Sequence, residues 1–427
     1  MKRIIIVGGG FAGINLAKKL SGNREYHVLL ADRFNYNFFP PLLYQVATAF
    51  VEPSNISLPF RKMFQGKTNL RYFMGSLQEV DPVKKQVKFG ENELAYDYLV
   101  LCMGTETNYF GMENIRRYGL PMKSVEDAIE VRNHILLQFE KAARAEDPAL
   151  KKSLTTIVIS GGGPTGTEIA GMIAKLRQTI TRKDYPGTPE NVPNIYLVDA
   201  LDKLLGAMSV KAQQYALKSL KKMGVNVMLN APVQDYADGN VIFKDGTKIS
   251  AGTLIWASGV VAAQVPGLPP SSLGRGRRIL VNDYNEVLNA PDIYAIGDQC
   301  MQTSDKNFPN GHPQLAQVAI QQGANLADNF FRMAGGRGLK PFSYTNKGSM
   351  AIITKYKAVV DMPKGSFTGL IAWFLWLFIH LIPIVGTRNK GKLMANWFFS
   401  SMTDDPTLRL VIRPNVGLDN REVIKTS

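Results

Sequence analysis

The chain has 427 residues, more than a single hydrophobic core usually covers, so its length predicts two or three domains. Hydrophobic residues make up 45% of the sequence and charged residues 20%, a globular composition that excludes a disordered, collagen-like or coiled-coil chain. The two cysteines are too few for a disulfide scaffold or a cysteine-based zinc cluster. We therefore expect a folded protein of a reducing compartment, without a metal site.

The charge is strongly basic, at +15 from 50 Lys and Arg against 35 Asp and Glu. Such an excess predicts an anionic partner, which could be a nucleic acid, an acidic protein or a membrane surface with anionic lipid. From Gly338 onward the chain contains 12 Lys and Arg against 5 Asp and Glu, together with Trp373, Trp376 and Trp397. A basic, tryptophan-rich segment favours a membrane interface, and we expect no nucleic-acid partner.

The N-terminal part predicts a strand, a glycine turn, a helix and a second strand. The first strand, Ile4–Val7, begins so early that we expect no signal peptide before the fold. The helix is predicted over Phe11–Leu20 and the second strand over Tyr26–Leu30. The same order returns about one domain later, with another glycine cluster, a helix over Glu168–Ile180 and a strand over Ile195–Val198.

The later sequence continues this alternation. A polar loop is predicted over Thr181–Asn194. Further strands are predicted over Val225–Met228, Val241–Phe243, Leu254–Ala257 and Ile293–Ile296. A helix is predicted over Pro313–Met333. Beyond Gly338 the pattern changes to strands around Ser349–Thr354 and Ala358–Val360. Strands that alternate with helices predict parallel, doubly wound sheets, so the fold class is α/β with two Rossmann-like dinucleotide-binding domains and a separate C-terminal region.

The first glycine cluster has the spacing of a dinucleotide-binding turn. Gly8 permits a tight turn, Gly10 lets the backbone approach a pyrophosphate, and Gly13 lets helix and strand pack closely. The N-terminus of the following helix favours negative charge. Asp32 ends the next strand, where its carboxylate would accept a hydrogen bond from a ribose hydroxyl.

The second glycine cluster repeats this arrangement with Gly161, Gly163 and Gly166, and Asp199 ends its second strand. Two such turns imply two dinucleotides, and the simplest pair is FAD with a nicotinamide nucleotide. A carboxylate at Asp199, with no basic residue directly after it, would repel a 2′-phosphate, so NADH is favoured over NADPH. The alternative is that Asp199 is an ordinary turn residue.

Three further motifs make the sequence resemble a known family. Pro41–Thr48 reads P-L-L-Y-Q-V-A-T, Gly161–Gly171 reads G-G-G-P-T-G-T-E-I-A-G, and Ala316–Gln321 reads A-Q-V-A-I-Q. Together with the Asp of Tyr294–Asp298, they resemble the type II NADH dehydrogenases, which are single-subunit, non-pumping NADH:quinone oxidoreductases. The resemblance implies a glutathione-reductase-like fold in which a hydride passes from NADH to FAD and two electrons then pass to a membrane quinone.

The resemblance also implies domain limits and site residues. It places an FAD domain at 1–111 and 265–337, an NADH domain at 112–264 and a membrane-anchoring region, which could also form a dimer contact, at 338–427. The FAD residues it implies are Gly8, Gly10, Phe11, Ala12, Gly13, Asp32, Arg33, Thr48, Val80, Gly104, Asp298 and Gln317. The NADH residues it implies are Gly161, Gly163, Pro164, Thr165, Gly166, Glu168, Asp199 and Gly259.

Three side chains are candidates for catalysis. Gln317 and Gln321 are four residues apart, so they share one helix face and could donate hydrogen bonds to a quinone carbonyl. The alternative is a solvated polar face in a glutamine-rich segment. Glu168 falls in the first predicted turn of its helix, where a carboxylate can simply stabilise the helix N-terminus. Its functional alternatives are to position the reacting ring or to help deliver protons to the quinone.

The segment Leu370–Val385 is nearly all apolar, and Arg388, Lys390 and Lys392 follow it. We expect an interfacial anchor with the tryptophans as an aromatic band, in a peripheral protein on the cytoplasmic face of a bacterial inner membrane. The alternatives are a buried or dimer-forming helix, since a homodimer stays open, and a transmembrane span.

Two rival functions remain. Cys102 and Cys300 are far apart in sequence, so a thiol relay or a sulfide:quinone oxidoreductase is disfavoured, and both are expected to be buried. The other rival is a binding flavoprotein whose redox state controls its affinity for nucleic acid or a protein partner.

Overall fold

The structure is a computed structural model that describes residues 1–185, 194–403 and 408–412. Its helices in chain order are α1 (Phe11–Leu20), α2 (Leu43–Ala47), α3 (Phe60–Met63), α4 (Glu113–Tyr118), α5 (Val125–Arg144), α6 (Pro148–Thr155), α7 (Pro164–Lys183), α8 (Val210–Lys222), α9 (Ala316–Ala334), α10 (Leu370–Leu381) and α11 (Thr387–Thr403). Short 3₁₀ helices span Pro40–Leu42, Pro53–Asn55, Pro270–Ser272, Arg275–Arg277 and Gly297–Gln299.

The strands in chain order are β1 (Lys2–Val7), β2 (Tyr26–Asp32), β3 (Tyr36–Phe38), β4 (Ser57–Pro59), β5 (Leu70–Met74), β6 (Glu79–Asp81), β7 (Gln86–Phe89), β8 (Asn92–Ala95), β9 (Tyr98–Leu101), β10 (Thr105–Thr107), β11 (Leu120–Pro121), β12 (Ile157–Ser160), β13 (Ile195–Val198), β14 (Val225–Met228), β15 (Val233–Ala237), β16 (Asn240–Phe243), β17 (Lys248–Ser250), β18 (Thr253–Trp256), β19 (Val260–Ala262), β20 (Ile279–Val281), β21 (Ile293–Ala295), β22 (Cys300–Gln302), β23 (Ser349–Thr354), β24 (Lys357–Met362) and β25 (Gly365–Gly369).

The first of two compact units comprises residues 1–38, 57–106 and 260–347. Its main sheet has the order β21-β9-β1-β2-β5, and every neighbouring pair is parallel. The apolar end of β1 is buried because a central parallel strand is covered on both faces. Helices α1 and α9 pack together so closely that a Cβ atom at Gly323 would lie 2.5 Å from the carbonyl oxygen of Ala12. This contact holds α9 beside the first glycine turn.

The second unit comprises residues 39–56 and 107–259 and the described part of 348–427. Its main sheet has the order β11-β18-β12-β13-β14 and is also wholly parallel. The antiparallel sheet β23-β24-β25 packs through β23 against α7. Gly171 allows this approach, because a Cβ atom there would overlap the carbonyl oxygen of Ile353.

Most predicted elements are confirmed, and three helices differ in their limits. Helix α7 continues to Lys183, into the predicted loop, of which residues 186–193 lie outside the described part. Helix α9 begins at Ala316, three residues later than predicted. Helix α10 ends at Leu381, because Pro383 lacks the backbone N–H that would continue the helix.

The compact units also differ from the predicted domain limits. Residues 39–56 belong to the second unit, because α2 packs on α5 and α7. The described part of residues 348–427 belongs to the same unit instead of forming a separate region, since β23 packs on α7. Both assignments depend on contacts between segments that are distant in sequence.

Candidate functional site

Most of the predicted FAD residues lie at one edge of the parallel sheet of the first unit. Strand β1 leads into the turn of Gly8–Gly13, β2 ends at Asp32, Gly104 follows β9, and Asp298 follows β21. The carboxyl ends of parallel strands share one edge of a sheet, which is where ligands bind in open α/β folds. The structure therefore brings these four groups together.

The first glycine turn has no room for side chains. Gly8 has a φ of +108°, and a Cβ atom there would overlap the carbonyl oxygen of Cys102. A Cβ atom at Gly13 would overlap the carbonyl oxygen of Gly8, so strand and helix meet in direct contact. At Gly10, the N-cap of α1, no side chain caps the helix. The first N–H groups of α1 can therefore bind an anionic group such as a pyrophosphate.

The second glycine turn has the same geometry in the second unit. Gly161 has a φ of +117° and lies against the carbonyl of Ala257, while a Cβ atom at Gly166 would overlap the carbonyl oxygen of Gly161. Gly163 is the N-cap of α7, again without a side-chain cap. Both predicted turns thus have the backbone that a dinucleotide requires.

Each turn is closed by the predicted aspartate. The Asp32 carboxylate accepts hydrogen bonds from the backbone N–H groups of Gly9 at 2.6 Å and Phe34 at 2.8 Å. Burial raises the pKa of the Asp32 carboxyl, and these two N–H groups oppose that rise. Each carboxylate oxygen has two lone pairs, so the group can accept a further hydrogen bond from a ribose hydroxyl.

Asp199 makes the corresponding pair of hydrogen bonds in the second unit. It accepts from the backbone N–H of Gly162 and, at 2.7 Å, from that of Leu201. Nearby, the hydroxyls of Ser160 and Ser258 lie 2.6 Å apart and join the ends of β12 and β18. The sequence analysis missed this serine pair, although Ser258 directly precedes the predicted residue Gly259.

Four of the remaining nucleotide candidates lie at the start of a helix, and Arg33 directly follows Asp32. Phe11 and Ala12 begin α1, and the exposed Arg33 places its guanidinium carbon 4.7 Å from the ring centre of Phe34. Pro164 and Thr165 are exposed at the start of α7. Their position at a helix N-terminus suits a bound phosphate.

Thr48 and Val80 are FAD candidates whose side chains are buried. Thr48 belongs to the second unit, is fully buried, and donates its hydroxyl to the carbonyl of Tyr44 at 2.7 Å. Val80 lies in β6 with its side chain in the core, and its N–H donates to the carbonyl of Pro266 at 2.9 Å. Any contact of Val80 with a cofactor would therefore use its backbone.

Gln317 and Gln321 both bond to the backbone that follows α9. The Gln321 amide donates to the carbonyl of Thr345 at 2.9 Å and accepts from its N–H at 3.0 Å. The Gln317 amide oxygen accepts from the N–H of Lys347 at 2.9 Å. A primary amide has two hydrogens and two lone pairs, so Gln321 keeps one donor for a further acceptor.

Glu168 is the buried acid of the second unit. It is the fifth residue of α7, so the predicted position in the first turn is wrong, because the helix already begins at Pro164. Its carboxylate accepts from the N–H of Ile352 in β23 at 3.3 Å, a bond that the close packing at Gly171 permits. Burial raises the pKa of Glu168 to about 8, against the opposing effect of the Ile352 N–H. Glu168 can therefore hold a proton at neutral pH.

Tyr44 and Gln45 are buried beside Glu168, and the sequence analysis gave them no role. Helix α2 packs on α7, and the Glu168 charge adds to burial in raising the pKa of the Tyr44 phenol well above its ordinary value. The Gln45 amide donates to the Tyr44 hydroxyl at 2.9 Å. The signal was present in the motif P-L-L-Y-Q-V-A, but no local pattern shows which side chains face an acid.

The outward face of α10 is not the predicted tryptophan band. Trp373 and Trp376 are buried, because Trp376 packs on Tyr44 and Trp397, and Trp373 packs edge-on against Tyr356. The exposed side chains are phenylalanines and aliphatic residues, namely Leu370, Ile371, Phe374, Phe378 and Ile382, with Met394, Phe398 and Phe399 on α11. Within the described residues, no helix is both long and apolar enough to cross a membrane.

Both cysteines are buried and free, as expected. Burial raises the pKa of the Cys102 thiol and, to about 11, that of Cys300. Neither thiol therefore has the low pKa of a reactive cysteine.

We predict that Glu168 makes the folded state less stable as the pH rises. An ordinary glutamate loses its proton near pH 4.5 and Glu168 near pH 8, so in this window the unfolded chain binds fewer protons than the folded one. The folded state then loses up to about 1.4 kcal/mol per pH unit. In thermal unfolding, Glu168→Gln should match the wild type near pH 5 and have a Tm several degrees higher at pH 9. Glu146→Gln, at an exposed position, is the control, and a Tm difference that does not change with pH would contradict the burial of this acid.

Comparisons with known proteins point to one family. The profile of the pyridine nucleotide-disulphide oxidoreductase family matches residues 2–323, and that of the NDH2 C-terminal domain matches residues 346–404. The type II NADH:quinone oxidoreductase Ndh of Mycobacterium tuberculosis is 32% identical over 92% of this chain and 87% of its own length. NdhA of the same organism is also 32% identical, over 94% of this chain and 87% of its own.

Solved structures share the fold. NDH2 from Plasmodium falciparum, solved with NADH, matches with a TM-score of 0.88 at 20% identity, over 96% of this chain and all (100%) of that one. The sulfide:quinone oxidoreductase of Aquifex aeolicus matches with a TM-score of 0.71 at 15% identity, over 95% of this chain and 92% of that one. The chain belongs to the type II NADH:quinone oxidoreductases, within the pyridine nucleotide-disulphide oxidoreductase family.

Proposed function

We propose that this protein oxidises NADH and reduces a quinone, with FAD as its bound cofactor. The overall reaction is NADH + H⁺ + quinone → NAD⁺ + quinol. The observation that carries the proposal is the pair of matching glycine turns, one in each unit, each closed by an aspartate on a glycine N–H. The family, and relatives named as NADH:quinone oxidoreductases, support the choice of substrates.

FAD is the cofactor of this family, and the residues of the first unit fit it. The uncapped N-terminus of α1 and the closed turn at Gly8 and Gly13 would hold its pyrophosphate. The Asp32 carboxylate would hold the ribose, and Gly104 and Asp298 lie at the same sheet edge. Bound FAD supplies the two-electron redox chemistry. The equivalent turn of the second unit, with Asp199, would hold NADH.

Glu168 would deliver a proton to the quinone. Quinol formation consumes one proton from solvent, and a carboxyl whose pKa is about 8 still holds a proton at neutral pH. Because burial raises this pKa, the Glu168 carboxyl stays protonated without a charged partner. This role is favoured over positioning of the reacting ring, because the raised pKa matches proton transfer.

We predict a strong preference for NADH over NADPH. The Asp199 carboxylate would accept a ribose hydroxyl and repel a 2′-phosphate, so anaerobic bleaching of the flavin should be at least about tenfold faster with NADH, or about 1.4 kcal/mol. Stopped-flow absorbance measures both rates. Asp199→Asn should narrow the ratio, and Asp202→Asn, a nearby exposed carboxylate, should not. Equal rates with the two nucleotides in the wild type would refute the NADH assignment.

We also propose that Gln317 and Gln321 donate hydrogen bonds to the quinone. Gln321→Ala removes a donor worth roughly 0.5–1.5 kcal/mol, so quinone turnover should fall about two- to twelvefold. Flavin reduction by NADH without quinone should stay near the wild-type rate. Asn325→Ala is a matched control, because Asn325 lies one turn further along α9 and donates to the carbonyl of Lys340 at 3.4 Å. If both variants lose the same activity, Gln321 acts only by anchoring the backbone.

The exposed apolar faces of α10 and α11 are proposed to rest on a bilayer surface. Contiguous exposed apolar side chains of this size mark an interaction surface, and the flanking Arg388 and Lys392 are exposed. Twelve residues of α10 span about 18 Å at ~1.5 Å per residue, which suits a helix lying in the interface. Basic side chains beside such a helix favour anionic lipid.

We predict that Phe374→Ser with Phe378→Ser weakens binding to vesicles of phosphatidylglycerol and phosphatidylcholine at least tenfold. Each exposed ring would lose up to about 1.5–3 kcal/mol of burial in lipid. Vesicle sedimentation measures the partition coefficient, and Val83→Ser with Leu150→Ser is the control at exposed apolar positions elsewhere. If the Phe variant instead changes only the sedimentation mass of the protein in solution, the face is a contact between two copies.

No observation favours the rival functions. The two thiols are buried, with raised pKa values, which does not suit a sulfide-oxidising enzyme that relies on reactive cysteines. The basic charge was the sole support for a redox-gated nucleic-acid binder.

A further inference from the structure

The hydroxyl of Tyr44 has an unused hydrogen. Tyr44 is 2% exposed, and Gln45, beside it on α2, is 5% exposed. The Gln45 amide nitrogen donates to the Tyr44 hydroxyl at 2.9 Å, and the Gln45 amide oxygen accepts from the indole N–H of Trp397 at 2.9 Å. Three buried or half-buried groups therefore form a chain that begins on α11 and ends at the Tyr44 oxygen.

The direction of this chain is determined by chemistry. An indole nitrogen can only donate, so the Gln45 atom facing Trp397 must be the oxygen. The amide nitrogen of Gln45 then faces Tyr44, and the Tyr44 oxygen must accept. Its own hydrogen points elsewhere, and in the described part of the chain no acceptor bonds to it. A buried donor without an acceptor costs free energy and calls for a missing partner.

The surroundings of Tyr44 suit a bound carbonyl group. Trp376 packs edge-on against the phenol at 6.4 Å between ring centres, which fixes the ring. Glu168 lies on the neighbouring helix α7, which packs on α2. His380 stacks on Trp376, and burial lowers its pKa to about 4, so it is neutral. Because its pKa is raised well above the ordinary value, Tyr44 keeps its proton and remains a donor.

We propose that Tyr44 is a catalytic residue whose hydroxyl donates a hydrogen bond to a carbonyl oxygen of the quinone. This inference rests on the proposed quinone reductase function. Tyr44 keeps its proton, while Glu168 supplies the proton consumed in the overall reaction. The quinone oxygen gains negative charge as it is reduced, so the hydrogen bond strengthens along the reaction and should affect kcat more than KM.

The test compares Tyr44→Phe with the wild-type holoenzyme, using NADH and a soluble short-chain ubiquinone. The kcat should fall about two- to twelvefold, as for one lost hydrogen bond, with a smaller change in KM. Turnover with ferricyanide, which accepts electrons without needing a hydrogen bond, should be unchanged, as should flavin reduction by NADH. Tyr236→Phe is the matched control, because this buried phenol donates to the carbonyl of Ala251 at 2.9 Å.

Trp397→Phe provides a second variant that leaves Tyr44 in place. Without the indole N–H, the Gln45 amide can turn and offer its oxygen to the Tyr44 hydroxyl, which competes with the quinone. The kcat for quinone should then fall by about half to two thirds, with no change for ferricyanide. If Tyr44→Phe fails to bind FAD, Trp397→Phe still tests whether the Tyr44 hydroxyl bonds to the quinone.

The outcomes distinguish the role of Tyr44 from the quinone reductase function. An unchanged quinone kcat in both variants, or an equal loss with quinone and ferricyanide, overturns the role of Tyr44. A wild-type enzyme that reduces ferricyanide but no quinone overturns the proposed function itself.

Discussion

Each nucleotide-binding turn depends on a backbone carbonyl that occupies the place of a side chain. At Gly13 and Gly166, the carbonyl oxygens of Gly8 and Gly161 fill the space where a Cβ atom would lie. Strand and helix can therefore meet closely enough to leave the first N–H groups of the helix directed at a ligand. A larger residue at either position would separate helix from strand, and the turn would lose both its shape and its charge complementarity.

The same kind of close packing determines the chemistry of Glu168. Gly171 lets β23 approach α7, and this approach both buries Glu168 and supplies the Ile352 N–H that bonds to it. Burial favours the neutral carboxyl, whereas one hydrogen bond only partly offsets that effect. The result is an acid that holds a proton near neutral pH, which a proton-consuming reaction can use.

Helix α10 serves two purposes because it is apolar on all sides. Trp376 packs inward against Tyr44 and Trp373 against Tyr356, while Phe374 and Phe378 face outward. Trp397 of α11 similarly bonds inward to Gln45, although its neighbours Phe398 and Phe399 are exposed. The proposed lipid-facing surface and the buried polar chain thus belong to the same two helices, so a change in how these helices pack would reach Tyr44.

The sequence by itself determined the fold class and both nucleotide turns. The spacing of Gly8 and Gly13 relative to a strand and a helix is a local property, and so is the position of Asp32 at the end of the next strand. Local backbone geometry dictates these contacts, so α1 and β13 were predicted at the limits that the structure has.

Only the tertiary structure decided the environment of Glu168 and which side chains of α10 face outward. The partner of Glu168 is 184 residues away, and Trp397 is 352 residues from Gln45. A helix that is apolar all round carries no periodic signal for its inward side, so Trp376 and Phe378 could not be told apart. Burial and hydrogen-bond partners arise from segments that are distant in sequence, and a local pattern can show that a face is apolar but not what covers it.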